Sequence, residues 1–269
     1  MAQPLISLFH LVLRAAPLLS LLLAGWVVGR VTYSVAPRFG LSRPAIADLT
    51  PALVVIAIAA ARLTAIAPHW RMVAAHPLDL LRLNGQLSFF GGVGGAVAGL
   101  VVLGRRSHLP SWGAADAYGT AAPLGFAVHG LGCLLRDDCY GRTAPPPFGI
   151  VFPGLQEPRY PVELYAAAAA LLIYAGLQWI GRRRLVPGTT ALAAVTALTA
   201  SRGILDGLRL DAEPGFFSAD QTASLVLAAV ALVFLQVRLL RSFGFWGAPR
   251  WGPAPTMHDQ MGDLGGRSG

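Results

Sequence analysis

Residues 220–240 read DQTASLVLAAVALVFLQVRLL, with no charged side chain between Asp220 and Arg238. A helix needs roughly 20 mostly apolar residues to cross about 30 Å of hydrocarbon, so this stretch predicts a membrane span. Lipid offers nothing to pair backbone N–H and C=O groups, and a helix pairs them internally. Similar windows fall near 5–29, 48–67, 86–104, 112–134, 161–181 and 186–204. The last of these runs into Arg202 and Asp206 and is the weakest. The expected fold is an all-α polytopic membrane protein with about seven transmembrane helices.

Composition agrees. Hydrophobic residues make up 55% of the 269 and charged residues 13%, against about 25% charged in an average soluble domain. The mean hydropathy is +0.58. The net charge of +8 arises wholly from arginine, since all 21 basic residues are Arg. They are scattered among the connections, with no long basic tract and no nucleic-acid motif. Anionic lipid and membrane orientation therefore explain the excess, and nucleic acid is not an expected partner.

Twelve arginines (30, 38, 43, 105, 106, 182, 183, 184, 238, 241, 250 and 267) fall on one side of the alternating connections. Seven (71, 82, 136, 142, 159, 202 and 209) fall on the other, most with acidic neighbours. The positive-inside rule puts the N-terminus outside and the C-terminus in the cytoplasm. The first apolar segment has no basic leader and no persuasive cleavage site, so it is expected to be an uncleaved helix. Residues 1–243 then form a single transmembrane domain with an exterior polar loop at about 135–160. The Gly- and Pro-rich tail at 244–269 is expected to be disordered.

The densest polar text is 129–165, HGLGCLLRDDCYGRTAPPPFGIVFPGLQEPRYPVELY. It holds Asp137, Asp138, Glu157 and Glu163, arginines 136, 142 and 159, and both cysteines. Charge is costly near lipid, so such a cluster marks either a site or a surface loop. Cys133 and Cys139 are six residues apart, and nothing supplies the second half of a zinc site. Free thiols, an exterior disulfide and thiol chemistry all remain open. His129 is either a base near neutral pH or a histidine hydrogen-bonded within the helix bundle.

Arg202, Asp206 and Arg209 share one helix face by their i, i+4 and i+3 spacing. That trio is either a self-neutralising ion pair or, with one positive charge in excess, a phosphate-binding group. In Ser88-Phe89-Phe90-Gly91-Gly92, glycines 91, 95 and 99 make a stripe that favours close helix packing, although it could instead admit a lipid chain. There is no G-x-S-x-G elbow and no P-loop, so hydrolase and nucleotide-driven chemistry lack support.

These fragments, in this order, resemble the bacterial prolipoprotein diacylglyceryl transferase family, over roughly Phe39 to Arg241. FGLSRPAIADL, AARLTAI around Arg62 and HPLDL at 76–80 begin the match. Ser88–Gly92 resembles the family's S-F-H-G-G motif, and 129–141 its G-R-x-G-N-F-x-N-x-E-x-x-G signature. Residues 159–165, RYPVELY, are similar to R-H-P-S-Q-L-Y. Ser201–Asp206 resembles a late arginine–glutamate motif, followed by Gln221. Phe90 stands at the histidine of the first motif, Gly130 at the arginine of the signature, and Cys133 and Arg136 at its asparagines. Asp138 and Asp206 stand at glutamates, Tyr160 at a histidine and Glu163 at a glutamine.

The resemblance implies a seven-span protein of the bacterial plasma (inner) membrane, with its site facing the outer leaflet. It implies transfer of a diacylglyceryl group from phosphatidylglycerol to the lipobox cysteine of a prolipoprotein, with no cofactor and no metal. Arg202, Asp206, His129 and Asp138 would be the catalytic candidates. Arg142, Arg136, Arg209, Ser88, Gly91, Gly92 and Gly141 would bind substrate. The alternative is a non-catalytic or re-purposed relative that binds phospholipid or lipoprotein in the membrane.

Overall fold

A computed structural model describes residues 3–69, 71, 87–134, 140–152, 154–181, 186–209 and 218–240. Among them are seven α-helices: α1 (Gln3–Val35), α2 (Arg43–Ile66), α3 (Phe89–Arg106), α4 (Ser111–Leu134), α5 (Val162–Ile180), α6 (Thr189–Asp206) and α7 (Ala219–Leu240). The described residues contain no β-strand, only three isolated bridges at 141–159 and 209. Every apolar window became a helix. The proposed tail at 244–269 lies outside the described residues.

Five helical stretches are long and apolar enough to cross a membrane: Leu19–Phe39, Arg43–Ile66, Phe89–Arg106, Val162–Ile180 and Ala219–Leu240. The first of them runs past the end of the expected 5–29 window. Helix α1 continues past Arg30 and ends only where Pro37 enters a 3-10 turn and Gly40, at φ 71°, closes it. Arg30 can keep its guanidinium wet while its stem lies along the helix, so it does not end the helix.

Helices α4 and α6 are outside the five because of their composition, and their position explains it. Helix α4 packs against α1, α3, α5 and α6, so most of its faces meet protein instead of lipid. Its residues are correspondingly small, and it carries buried Asp116 and Thr120. Large apolar side chains lie instead on the outside: Leu172, Val55, Phe234 and Val233 are all exposed. An interior that holds polar groups under a coat of bare leucine and valine suits lipid as the solvent.

Two close contacts set the bundle. Glycines 91, 95 and 99 of α3 lie against Ala60, Thr64, Leu53 and Ile56 of α2, which is the packing reading of the stripe. At the other end of the bundle, Asp116 of α4 caps α6. Its carboxylate accepts the N–H of Gly188 at 2.6 Å and of Ala191 at 2.8 Å. A carboxylate there satisfies free amide donors and complements the helix dipole. Gly188 has φ 91°, and a Cβ on it would strike the Trp112 ring.

Candidate functional site

The chain's reversals bring the C-termini of α2, α4 and α6 together with the N-termini of α3, α5 and α7. Direct bonds show this: Ser88 N–H donates to Ala61 O at 3.0 Å, and Gln221 Nε2 donates to Gly203 O at 3.0 Å. All the ionic chemistry of the site sits at this end.

The last turn of α6 supplies Arg202 and Asp206, and the turn that follows supplies Arg209. Asp206 lies between the two arginines. Its Oδ1 is 3.3 Å from Arg209 Nε, and its Oδ2 is 3.6 Å from Arg202 Nε. Arg209 Nη2 also donates to Glu163 Oε1, from the first turn of α5. Side-chain exposure is 6% for Asp206, 17% for Glu163, 22% for Arg202 and 39% for Arg209. The chain of charges therefore opens outward through Arg209. These four groups carry two positive and two negative charges, and Asp220 of α7 adds a further negative charge that acts on Arg202 and Asp206 through space.

Arg202 is held from a second direction. Its guanidinium carbon lies 4.3 Å from the centre of the Phe89 ring, a cation–π contact from the start of α3. Phe89 in turn packs on Phe126 of α4 at 5.3 Å. The 3.6 Å separation from Asp206 is too long for a hydrogen bond, so Arg202 Nε and Asp206 Oδ2 are both buried without a hydrogen-bond partner. That leaves one open donor and one open acceptor beside each other.

The polar loop is tied to this cluster through its backbone. Gly141 N–H donates to Tyr160 O at 2.8 Å, and Arg142 N–H donates to Leu208 O at 3.0 Å. Gly141 also bridges to Arg209 in antiparallel fashion. A Cβ on Gly141 would meet Leu208 O well inside 3.0 Å and Val162 Cγ2 at 2.7 Å, so only glycine allows this approach.

A sequence model described as prolipoprotein diacylglyceryl transferase matches residues 6–237. The chain belongs to the prolipoprotein diacylglyceryl transferase family. Three relatives named phosphatidylglycerol–prolipoprotein diacylglyceryl transferase illustrate the likeness. The one from Methylocella silvestris is 38% identical over 97 residues, 35% of this chain and 36% of that protein. The one from Sinorhizobium medicae is 28% identical over 168 residues, 60% of each. The one from Synechococcus elongatus is 28% identical over 208 residues, 71% of this chain and 72% of that protein. The chain thus spans between about a third and three quarters of the relatives it matches. With its apolar helices, membership makes this a multi-pass membrane protein of a transferase family.

The site residues expected within this family fall into three groups. Arg202, Asp206 and Arg209 meet, and Gly141 buttresses them. The Arg142 side chain is exposed, and its backbone makes the contact to α6. Ser88, Gly91 and Gly92 sit at the α2–α3 contact. Ser88 Oγ caps α3 by accepting Gly91 N–H at 3.2 Å, and Gly92 faces Ala61. His129 turns toward α1, with Nδ1 3.4 Å from Ser20 Oγ, while the next residue, Gly130, faces Glu163 on α5. Arg136, Asp138, Cys139 and the side chain of Cys133 lie outside the described residues.

Glu163 and Phe89 were not among the expected site residues. Glu163 carried a signal, an acidic residue opening an apolar span at the same end as Asp206. Phe89 carried none, because nothing in the local sequence tells which ring lies under Arg202.

Proposed function

We propose that this chain is a diacylglyceryl transferase of the bacterial plasma membrane. It would move a diacylglyceryl group from phosphatidylglycerol to the lipobox cysteine of a prolipoprotein. The observation that carries the reading is the Arg202–Asp206–Arg209 group at the mouth of the bundle, where buried Asp206 holds two arginines and Arg209 is exposed. The acceptor brings its own thiol nucleophile. The enzyme's task is to hold the donor phosphate and stabilise the glycerol phosphate that leaves. Paired guanidiniums suit this because their donors match phosphate oxygens in geometry and charge. Asp206 fixes the direction of both arginines before substrate arrives.

The test mixes purified protein with phosphatidylglycerol and a lipobox peptide and measures glycerol phosphate release. Removing one aligned donor from such a site costs roughly 100- to 1000-fold in rate, so Arg202→Ala should lose that much. Arg202→Lys should lose nearly as much, because an ammonium cannot reproduce the planar stacking on Phe89. Wild-type release no greater than that of Arg202→Ala refutes the transferase reading. Lipid binding without release would instead support a non-catalytic family member, a reading that the apolar residues Phe90 and Gly130 favour.

A further inference from the structure

Resting on the transferase reading, we infer that Glu163 is the base that takes the acceptor thiol's proton, and that donor phosphate uncovers it by drawing Arg209 away. A thiol attacks carbon only as its thiolate, so the site needs a proton acceptor. Asp206 is a poor one, since at 6% exposure, with an arginine beside each oxygen, it has no face to offer a thiol. His129 turns its Nδ1 to Ser20, on the α1 side of α4. Glu163 is differently placed. Its described side-chain partner is Arg209 alone, and Arg209 is the most exposed of the four charged groups.

Arg209 uses Nε on Asp206 and Nη2 on Glu163. A phosphate oxygen arriving at its exposed side competes for Nη2, while Asp206 keeps Nε and holds the arginine in the site. The released carboxylate does not pass into open water. It lies against α4, where a Cβ on Gly130 would sit 3.6 Å from Glu163 Oε2. Freed of Arg209, its oxygen can accept the hydrogen bond of a thiol brought beside it. Donor binding and base activation thus become one event.

The atoms balance. The thiol proton passes to the Glu163 carboxylate, and the sulfur electron pair forms an S–C bond with the glycerol carbon. The C–O bond to phosphate breaks, and its electron pair leaves on glycerol phosphate between Arg202 and Arg209. Glu163 then returns its proton to water, and Arg209 closes on it again.

The experiment compares wild type, Glu163→Gln and Glu163→Asp as full chains in nanodiscs, reading phosphatidylglycerol affinity and the transfer rate at saturating lipid separately. Glutamine holds Arg209 less firmly and cannot accept the proton. Lipid binding should therefore tighten several-fold while transfer falls roughly 100-fold or more, the usual worth of a general base. Aspartate should recover part of the rate. A purely structural Glu163 predicts weaker binding together with slower transfer, which overturns the inference, as does an unchanged rate in Glu163→Gln. If wild type transfers nothing, the transferase reading and the base role fall together. Tighter lipid binding in Glu163→Gln would then still support the exchange, and unchanged or weaker binding would refute it.

Discussion

Gly141→Ala is the change that asks most of this geometry. The added methyl would press on Leu208 O from one side and stand 2.7 Å from Val162 Cγ2 on the other, where ordinary contact begins at 3.4 Å. The backbone must therefore open by about 0.7 Å against Val162, and further against the carbonyl. Neither neighbour is a flexible side-chain tip, so the loop moves as a unit. Two hydrogen bonds are stretched, Gly141 N–H to Tyr160 O and Arg142 N–H to Leu208 O. At about 1 kcal/mol net for each, local stability falls by about 2 kcal/mol. Amide exchange at residue 142 should then quicken roughly 30-fold, with the interior of α3 unchanged as the control. Because Arg209 bridges to residue 141, the same shift should lower transfer by up to roughly 100-fold, as a displacement near 1 Å does elsewhere. Exchange at Arg142 within threefold of wild type would show that the loop is not held to α6 in this way.

Asp116→Ala should expose the two amides at the other end of α6. With Gly188 and Ala191 N–H groups left unpaired in a buried place, a loss of about 2–4 kcal/mol is expected, read as faster exchange at those amides. Asp116→Asn keeps one acceptor oxygen and should lose about half as much, and equal losses would discredit the cap. Asp206→Ala removes the carboxylate between Arg202 and Arg209. Arg209 retains Glu163, so the main cost is Arg202 stranded over Phe89, about 2–3 kcal/mol after allowing for its partial exposure. Chemical unfolding in detergent reads that loss, and a Phe89→Leu background should enlarge it, because the ring is a second contact that holds Arg202. An equal loss in both backgrounds would remove Phe89 from the account.

What the sequence shows of this protein follows the range over which each signal acts. A span is a local quantity, twenty residues of apolar text, and all seven helices were visible that way. The end of α1 lies beyond its apolar window because Arg30 interrupts the apolar run, although a helix lets that arginine reach water without stopping. Helices α4 and α6 were visible as helices, but the reason for their weaker hydropathy was not. It lies in burial against four neighbours for α4, which no window over the chain contains.

The site divides in the same manner. Arg202, Asp206 and Arg209 fall within two helical turns, so their spacing alone placed them on one face. Glu163 comes to Arg209 across 46 positions of sequence, and Phe89 reaches Arg202 from another helix altogether. Adjacent residues also part company: His129 and Gly130 face α1 and α5 respectively. The direction of His129 depends on which helix lies beside α4 at that height. The local trio has two positive charges and one negative, which by itself describes a permanent anion site. Glu163 gives Arg209 a carboxylate partner of its own, so a phosphate that binds there competes with it. The residue that spacing could not find is therefore the one that changes the site from a fixed receptor into an exchange.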